Sequence, residues 1–467
     1  MIQDERVRRL NGAEMVRGRY VVYWMQASQR AEHNHALEFA VRTANERGLP
    51  VVCYFGLTAD FPQANLRHYT FMLEGLDDVR QTLAARGIRL VLRVGPPFEG
   101  LIDLASRAAA VVVDRGYLRV QRKWRRRAAA EIPCVLIEVE TDAVVPVEVA
   151  SEKEEYAAAT LRPKIRRQMD RFLVPLKHGK VKHDSLGLRL AGENWTSPST
   201  LLKKLEVDPS VAPVAAFRGG ASAARERLSS FVRENLRDYT DLRNEPGLEV
   251  SSRLSPYLHF GQISPLHVAL TVGKARGKPR ACKEDFLEEL IVRRELGLNF
   301  VRFNPAYDSF RALPAWAAQS LARHARDKRE PTYSLKNLEA ARTHDPYWNA
   351  AMTEMLVTGY MHNYMRMYWG KKILEWSPTP EKALKTALYL NNKYFLDGRD
   401  PNSFAGVAWC FGKHDRPWTE RPIFGKIRYM NARGLERKFD MDAYVRRVRA
   451  MERGDARSSG RSGREPD

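Results

Sequence analysis

Nine tryptophans stand in a chain of 467 residues, and five of them fall between Trp348 and Trp418. An indole can fill a core, stack on another planar group, or hold an electron vacancy for the next ring to fill. Trp369 and Trp376 are seven positions apart, so on a helix they share a face about 10 Å apart at 1.5 Å rise per residue. Trp348 opens the same helical stretch, and Tyr364, Met365, Met367 and Tyr368 crowd its later turns. Such spacing serves core packing, or a staircase of indoles leading to a redox cofactor. Further on, an Asp-Gly-Arg-Asp-Pro-Asn loop (397–402) precedes Trp409, Arg416, Trp418, Arg421, Lys426 and Arg428. Indoles interleaved with cations suit a surface that stacks bases and neutralises phosphates.

Two polar clusters add chemistry of another kind. The run Ser251-Ser252-Arg253-Leu254-Ser255-Pro256 sets hydroxyls before a proline. Hydroxyls there either cap a helix or present donors to a diphosphate. In the pattern FLEELIVRRELGLNF (286–300), Glu289 and Arg293 lie four apart. Helical spacing makes them a surface ion pair worth a few tenths of a kcal/mol, or sets a carboxylate on the rim of a cavity.

These side chains need elements to hold them. The first 145 residues alternate apolar runs (20–25, 50–55, 89–94, 110–114, 134–139) with amphipathic segments (29–47, 66–86, 99–108, 120–130). That βαβ rhythm predicts an α/β domain with a doubly wound parallel sheet. No Gly-x-Gly-x-x-Gly or P-loop follows the first strand, so a ligand is expected only from the general rule that it sits at the carboxyl ends of the strands. Residues 146–205 read as an interdomain linker, in which 161–182 carry eight Lys/Arg against one acid and look like a surface connector. Helical periodicity then dominates 206–450, notably 221–237, 283–303, 337–343, 349–375 and 380–390, predicting an all-α second domain. The Arg/Ser/Gly-rich end, 451–467, is expected to be a flexible basic tail.

Composition narrows the partners. With 77 Lys+Arg against 56 Asp+Glu the formal charge is +21, which points to a polyanion. The apolar runs are far shorter than the roughly 20 residues of a membrane span, and the charged amino terminus lacks a secretory core. Four cysteines, Cys53, Cys134, Cys282 and Cys410, are too scattered for a metal clasp or a disulfide framework. An intracellular protein, cytoplasmic or nuclear and not secreted, without a metal and acting as a monomer, is the expectation.

Taken together, LSPYLHFGQIS, FLEELIVRRE, THDPYWNA, RMYWGKKILEW, LDGRDPN, ERPIFGKIRYM and KFD occur in the order and spacing of the class II cyclobutane pyrimidine dimer photolyases. The chain resembles that branch of the photolyase/cryptochrome superfamily through nearly all of its helical half. The amino-terminal half, with its YWMQ strand, resembles the antenna domain more loosely. The resemblance implies light-driven repair of UV-damaged double-stranded DNA by reduced FAD. It also leaves room for an antenna chromophore of deazaflavin or folate type. The alternative in the same superfamily is a cryptochrome-type photoreceptor without repair.

By position, the resemblance assigns Tyr239, Ser251, Ser252, Leu254, Ser255 and Arg293 to the FAD phosphates and the bent cofactor. It pairs Arg366 with Asp397 beside the isoalloxazine and faces Asn391 to flavin N5. Glu289 would bond the lesion; Tyr364, Met367 and Trp409 would line its pocket. Arg243, Asn244, Arg416 and Arg428 would meet DNA. Trp369, Trp348 and Trp376, in that order, would carry electrons. The sequence departs from the family at Asn363, where a small residue, usually Gly, is common, and at His35, where the family helix bears an aromatic.

Overall fold

The computed structural model describes residues 2–454. Six strands form one sheet in the order β1-β6-β5-β2-β3-β4. They are β1 (Val7–Arg9), β2 (Tyr20–Trp24), β3 (Val51–Leu57), β4 (Arg89–Val94), β5 (Ala108–Asp114) and β6 (Val135–Val139). All neighbours pair parallel except β1, which runs antiparallel along β6. Crossover helices α1 (His35–Glu46) and α2 (Leu66–Ala85) cover one face, and α3 (Pro97–Ala105) and α4 (Arg119–Glu131) the other. The period of two in β2 does this directly: Val21 and Tyr23 pack under α1 and α2, while Tyr20, Val22 and Trp24 pack under α3 and α4. The predicted α/β doubly wound sheet is therefore present. The unanticipated strand is β1, three residues with two arginines, whose pairing comes from the edge of β6 and not from any apolar pattern.

The basic connector differs from expectation. Residues 161–182 do not simply cross the surface: their first half belongs to helix α5 (Ala158–Phe172), which buries Leu161, Ile165 and Phe172. Those apolar positions recur at helical spacing, but the surrounding cations hide the period. Farther along, Trp195, Leu201 and Leu205 pack into the core beneath α1 and α2.

The rest is helical. The elements that matter are α6 (Arg294–Phe303), α7 (Pro346–Thr358), α8 (Asn363–Trp376), α9 (Pro380–Tyr394), α10 (Pro401–Cys410) and α11 (Met441–Glu452). The continuous helix expected over 349–375 is two helices. Gly359 ends α7 in the left-handed conformation at φ 69°, and His362 caps α8 by accepting from the Tyr364 N–H. Trp348 thus lies on a different helix from Trp369 and Trp376. Over 337–343 the helix is shorter than expected and ends at Glu339. The expected tail begins within described chain, since α11 runs through Glu452, but residues 455–467 lie outside the described residues. Among those described, no helix is long and apolar enough to cross a membrane.

Candidate active site

The helical half encloses a cavity of about 600 Å³. Its walls include Tyr239, Arg243, Asn244, the whole run 251–255, Glu289 and Arg293. They also include Asn363, Arg366, Met367, Trp369, Asn391, Asp397 and Trp409. Residues separated by 170 positions are thus brought to one space. Tyr364, Arg416, Arg428, Trp348 and Trp376 stand outside the lining.

On one wall the serine run turns sharply, with Arg253 in the left-handed region at φ 51°. The helix that follows, Ser255–His259, starts from Leu254 with no side-chain cap, so the hydroxyls are not used for capping. Ser251 shares a hydrogen bond with the Tyr360 hydroxyl at 3.0 Å, and Ser255 Oγ is buried without a partner, as is Arg253 Nε. Buried polar atoms normally find partners, so these donors point to a polar ligand.

The next wall is the segment Glu288–Arg293, which winds as a π-helical turn. The wider turn moves positions four apart off a common face, and of the two readings of that spacing the Glu289–Arg293 surface pair does not form. Instead Glu289 pairs with Arg243 at 3.3 Å and Arg293 with Glu288 at 3.7 Å. Single π-turns of this kind gather at functional sites. Glu289 remains about 40% exposed on the cavity rim.

Deeper in, Arg366 pairs with Asp397 at 3.0 Å and lies over the Phe395 ring at 4.0 Å, leaving Nη2 buried and unpaired. Asn391 is held by a layer that sequence reasoning missed. Ser403 Oγ donates to its carbonyl at 2.8 Å, and its amide donates to Asn392 Oδ1 at 2.9 Å. Asn392 in turn donates to Gln63 Oε1, across from the α/β domain, at 2.6 Å. A partner 329 positions away leaves no local signal.

Trp369 forms part of the wall, its indole N–H buried without a partner. Behind it Trp348 donates to the Trp369 carbonyl at 3.1 Å and meets Trp376 edge-to-face at 5.5 Å between centroids. Trp376 then touches Tyr333 at 5.2 Å, whose hydroxyl bonds His344 Nδ1 at 2.6 Å. Tyr333 and His344 extend the aromatic path beyond the three indoles read from sequence.

At the mouth, Trp409 is held between cations. Lys371 Nζ lies 4.8 Å from its ring and the Arg428 guanidinium 5.4 Å. Lys371 is fully buried, donates to the Cys410 carbonyl at 2.7 Å, and burial pulls its pKa down to about 8. Arg428 is chelated by Asp415 at 2.9 and 3.0 Å and covers Trp418 at 4.2 Å. Arg416 is exposed over the same indole. Tyr364 packs on Phe439 instead of the cavity, its hydroxyl accepting from Lys438. His362 and His414, both on the lining, are held neutral, with pKa values pushed down to about 4 by burial.

A second cavity, about 120 Å³, opens between the domains at the carboxyl ends of β2, β3 and β5, where the doubly wound rule places ligands. Trp24, Gln26, Phe55, Phe61, Tyr117 and Trp124 line it. Gln26 Nε2 and Gln29 Oε1 are buried there without partners. His35 is buried in α1 and is not part of that lining. Among the described residues no group of three or more His, Cys, Asp or Glu is arranged to hold a metal.

An α/β domain seated on a helical domain with a deep, donor-lined cavity defines a two-domain cofactor-binding protein. The family model for DNA photolyase matches residues 21–181. A deoxyribodipyrimidine photo-lyase of Methanothermobacter thermautotrophicus is 54% identical over 97% of this chain and 99% of that protein. One from Potorous tridactylus is 39% identical over 91% of this chain and 81% of its own length. The chain belongs to the DNA photolyase family, in the class II branch of the photolyase/cryptochrome superfamily. In fold it matches the solved archaeal photolyase from Sulfolobus tokodaii, which holds two FAD molecules, with TM-score 0.68 at 17% identity over 93% of this chain and 92% of that one. As a member of this family the protein is a DNA-repair flavoenzyme.

Proposed function

We propose that the protein splits cyclobutane pyrimidine dimers in UV-damaged DNA, using light absorbed by FAD held in the large cavity. The observation that carries this reading is the convergence, on one cavity, of unpaired buried donors deep inside and a carboxylate and an indole at its mouth. Ser255 Oγ, Arg253 Nε and Arg366 Nη2 are suited to the phosphates and the polar rim of the flavin. When bound, reduced FAD supplies the electron that opens the cyclobutane ring and accepts it back.

The residues do the rest by position and charge. A dimer in a duplex is hidden, so it must be flipped out, as photolyases in general do, at a cost of a few kcal/mol that poor stacking at the lesion lowers. Trp409 offers a face for the extruded bases, and Glu289 a hydrogen-bond acceptor for their polar edge. Arg243, Arg416, Arg428 and their neighbours meet phosphates, which gives affinity without sequence preference. Asn391 is oriented by Ser403 and Asn392 so that its amide is fixed before anything binds, and the Arg366–Asp397 pair balances charge beside it. Trp369 on the cavity wall, Trp348 bonded to its main-chain carbonyl and Trp376 against the Trp348 ring supply the steps of an electron route away from the cavity.

The smaller cavity suits a planar antenna chromophore: aromatic walls for its rings and two unpaired amide groups for its heteroatoms. The test of the main reading is to incubate the purified protein with UV-irradiated duplex DNA in light and in darkness and count the remaining dimers. Loss of dimers only in light is expected. Equal counts, with a normal flavin spectrum, would leave a signalling photoreceptor instead.

A further inference from the structure

A third recess, about 210 Å³, adjoins the second cavity through Arg115, Gly116 and Tyr117 and is walled by Arg8, Arg115, Arg122, Arg125, Arg126 and Arg302, with Glu138 among them. Three of these arginines are neutralised. Arg115 bonds Glu140 at 2.7 Å and Glu148 at 3.0 Å, Arg125 bonds Glu138 at 2.8 Å, and Arg302 forks onto Glu148. Three acids therefore answer three guanidinium groups. Among the described residues Arg8, Arg122 and Arg126 have no carboxylate at ion-pair distance.

The surplus is held in place by the fold. Arg8 stands on the edge strand β1, Arg122 and Arg126 are one turn apart on α4, and the buried Arg115 and Arg125 form the floor. Arg122 sits in a positive field: burial, then Arg302, Arg126 and Arg115, lower its pKa from the ordinary arginine range. Like charges one helical turn apart repel, and the acid of α4, Glu131, is paired with Arg127. Six of the eleven residues that line the recess are arginines, which suits an anion and not an apolar ring. The recess is also separate from the lesion cavity. Helix α6 lines that cavity with Arg294 and this recess with Arg302, eight residues or about 12 Å along its axis.

We propose that this recess binds a compact multivalent oxyanion, a phosphate or diphosphate group, free or carried as the end of a larger molecule. Guanidinium groups fork onto such oxygens with two hydrogen bonds each, and three uncompensated cations match the charge of a diphosphate. The site owes nothing to repair chemistry and stands whether or not the lesion reading holds.

The test is titration calorimetry of the FAD-loaded protein with pyrophosphate and, separately, with ADP, at low ionic strength. Wild type should bind pyrophosphate at one saturable site. The double variant Arg122→Gln/Arg126→Gln should bind at least about tenfold more weakly, as expected for losing charge-assisted hydrogen bonds. Its flavin spectrum, melting temperature and affinity for damaged duplex should be unchanged. Arg8→Gln, an exposed edge-strand substitution, should weaken pyrophosphate independently if the double variant is unstable. Binding of ADP as well as pyrophosphate marks a site for a phosphorylated terminus; pyrophosphate alone marks a free anion. The proposal is overturned by absent saturable binding, by equal affinity in the variants, or by a parallel loss of duplex affinity, which would make the recess part of the DNA footprint.

Discussion

Trp348 donates its indole N–H to the main-chain carbonyl of Trp369, 3.1 Å away. Because the acceptor is backbone, replacing the Trp369 side chain leaves that bond intact and Trp348 in place. Trp369→Phe therefore removes one step of the aromatic route and little else. Photoreduction of the oxidised enzyme should fall to background, while enzyme reduced chemically should still repair. Wild-type photoreduction in this variant would show that electrons enter by another path.

At the mouth, Trp409 and Glu289 can be separated by what they change. Trp409→Ala should weaken binding of dimer-containing DNA by about 1–3 kcal/mol, the usual worth of one stacked base, and leave undamaged duplex nearly unaffected. Glu289→Ala frees Arg243, its 3.3 Å partner, so DNA affinity should hold while the yield of repair per photon drops. An unchanged yield would remove Glu289 from the chemistry.

Lys371 gives the site a pH dependence. Burial lowers its pKa to about 8, against an ordinary 10.5. Between these values the unfolded chain carries a proton there that the folded one does not, so stability rises with pH. This contribution is full above 10.5 and gone below 8. Binding runs the other way, since deprotonation near pH 8 removes the cation under Trp409. Lesion affinity of wild type should decline as pH passes about 8, whereas Lys371→Met should be weaker at about pH 7 and flat across that range. Its melting temperature at about pH 7 should not fall, because a buried charge is replaced by an apolar chain of similar length. A flat wild-type binding profile would sever Lys371 from the site.

What the sequence made legible follows from locality. Strands β2 to β6, the Trp369–Trp376 spacing and the segments 251–255 and 286–300 are contiguous patterns, and each appears close to where the sequence placed it. The π-turn at Glu288–Arg293 is not: nothing in FLEELIVRRE announces the wider turn, which pairs Glu289 with Arg243 and Arg293 with Glu288 instead of with each other. The support of Asn391 by Ser403, Asn392 and Gln63 depends on how two domains dock, and Gln63 sits in an unremarkable loop. Nothing in WGKK singles out Lys371; its role follows only from the packing that sets its ammonium against the Cys410 carbonyl and the Trp409 ring. Tyr364, assigned to the lesion pocket by resemblance, packs on Phe439 with its hydroxyl accepting from Lys438, contacts 74 and 75 positions away that leave no local signal.

The rim of the site also rests on a buried acid. Glu354, in α7, accepts from Arg447 at 2.9 Å, from the Tyr444 hydroxyl at 2.8 Å and from the His362 N–H at 3.2 Å. Burial alone would raise its pKa, but Arg447 and Tyr444 outweigh it and hold the carboxylate ionised. His362 then bonds the Arg243 carbonyl at 3.0 Å, and Arg243 bonds Glu289. Arg447→Met would strand a buried charge, which costs about 3–5 kcal/mol. Chemical denaturation should show a loss of that order, largely recovered by adding Glu354→Gln, since the neutral amide no longer needs the cation. The same pair separates stability from function: Arg447→Met should reduce repair yield at temperatures where the protein is still folded, because the Glu354–His362–Arg243 line to Glu289 is loosened. Equal stability of Arg447→Met and wild type would mean that Tyr444 and the backbone alone satisfy the acid.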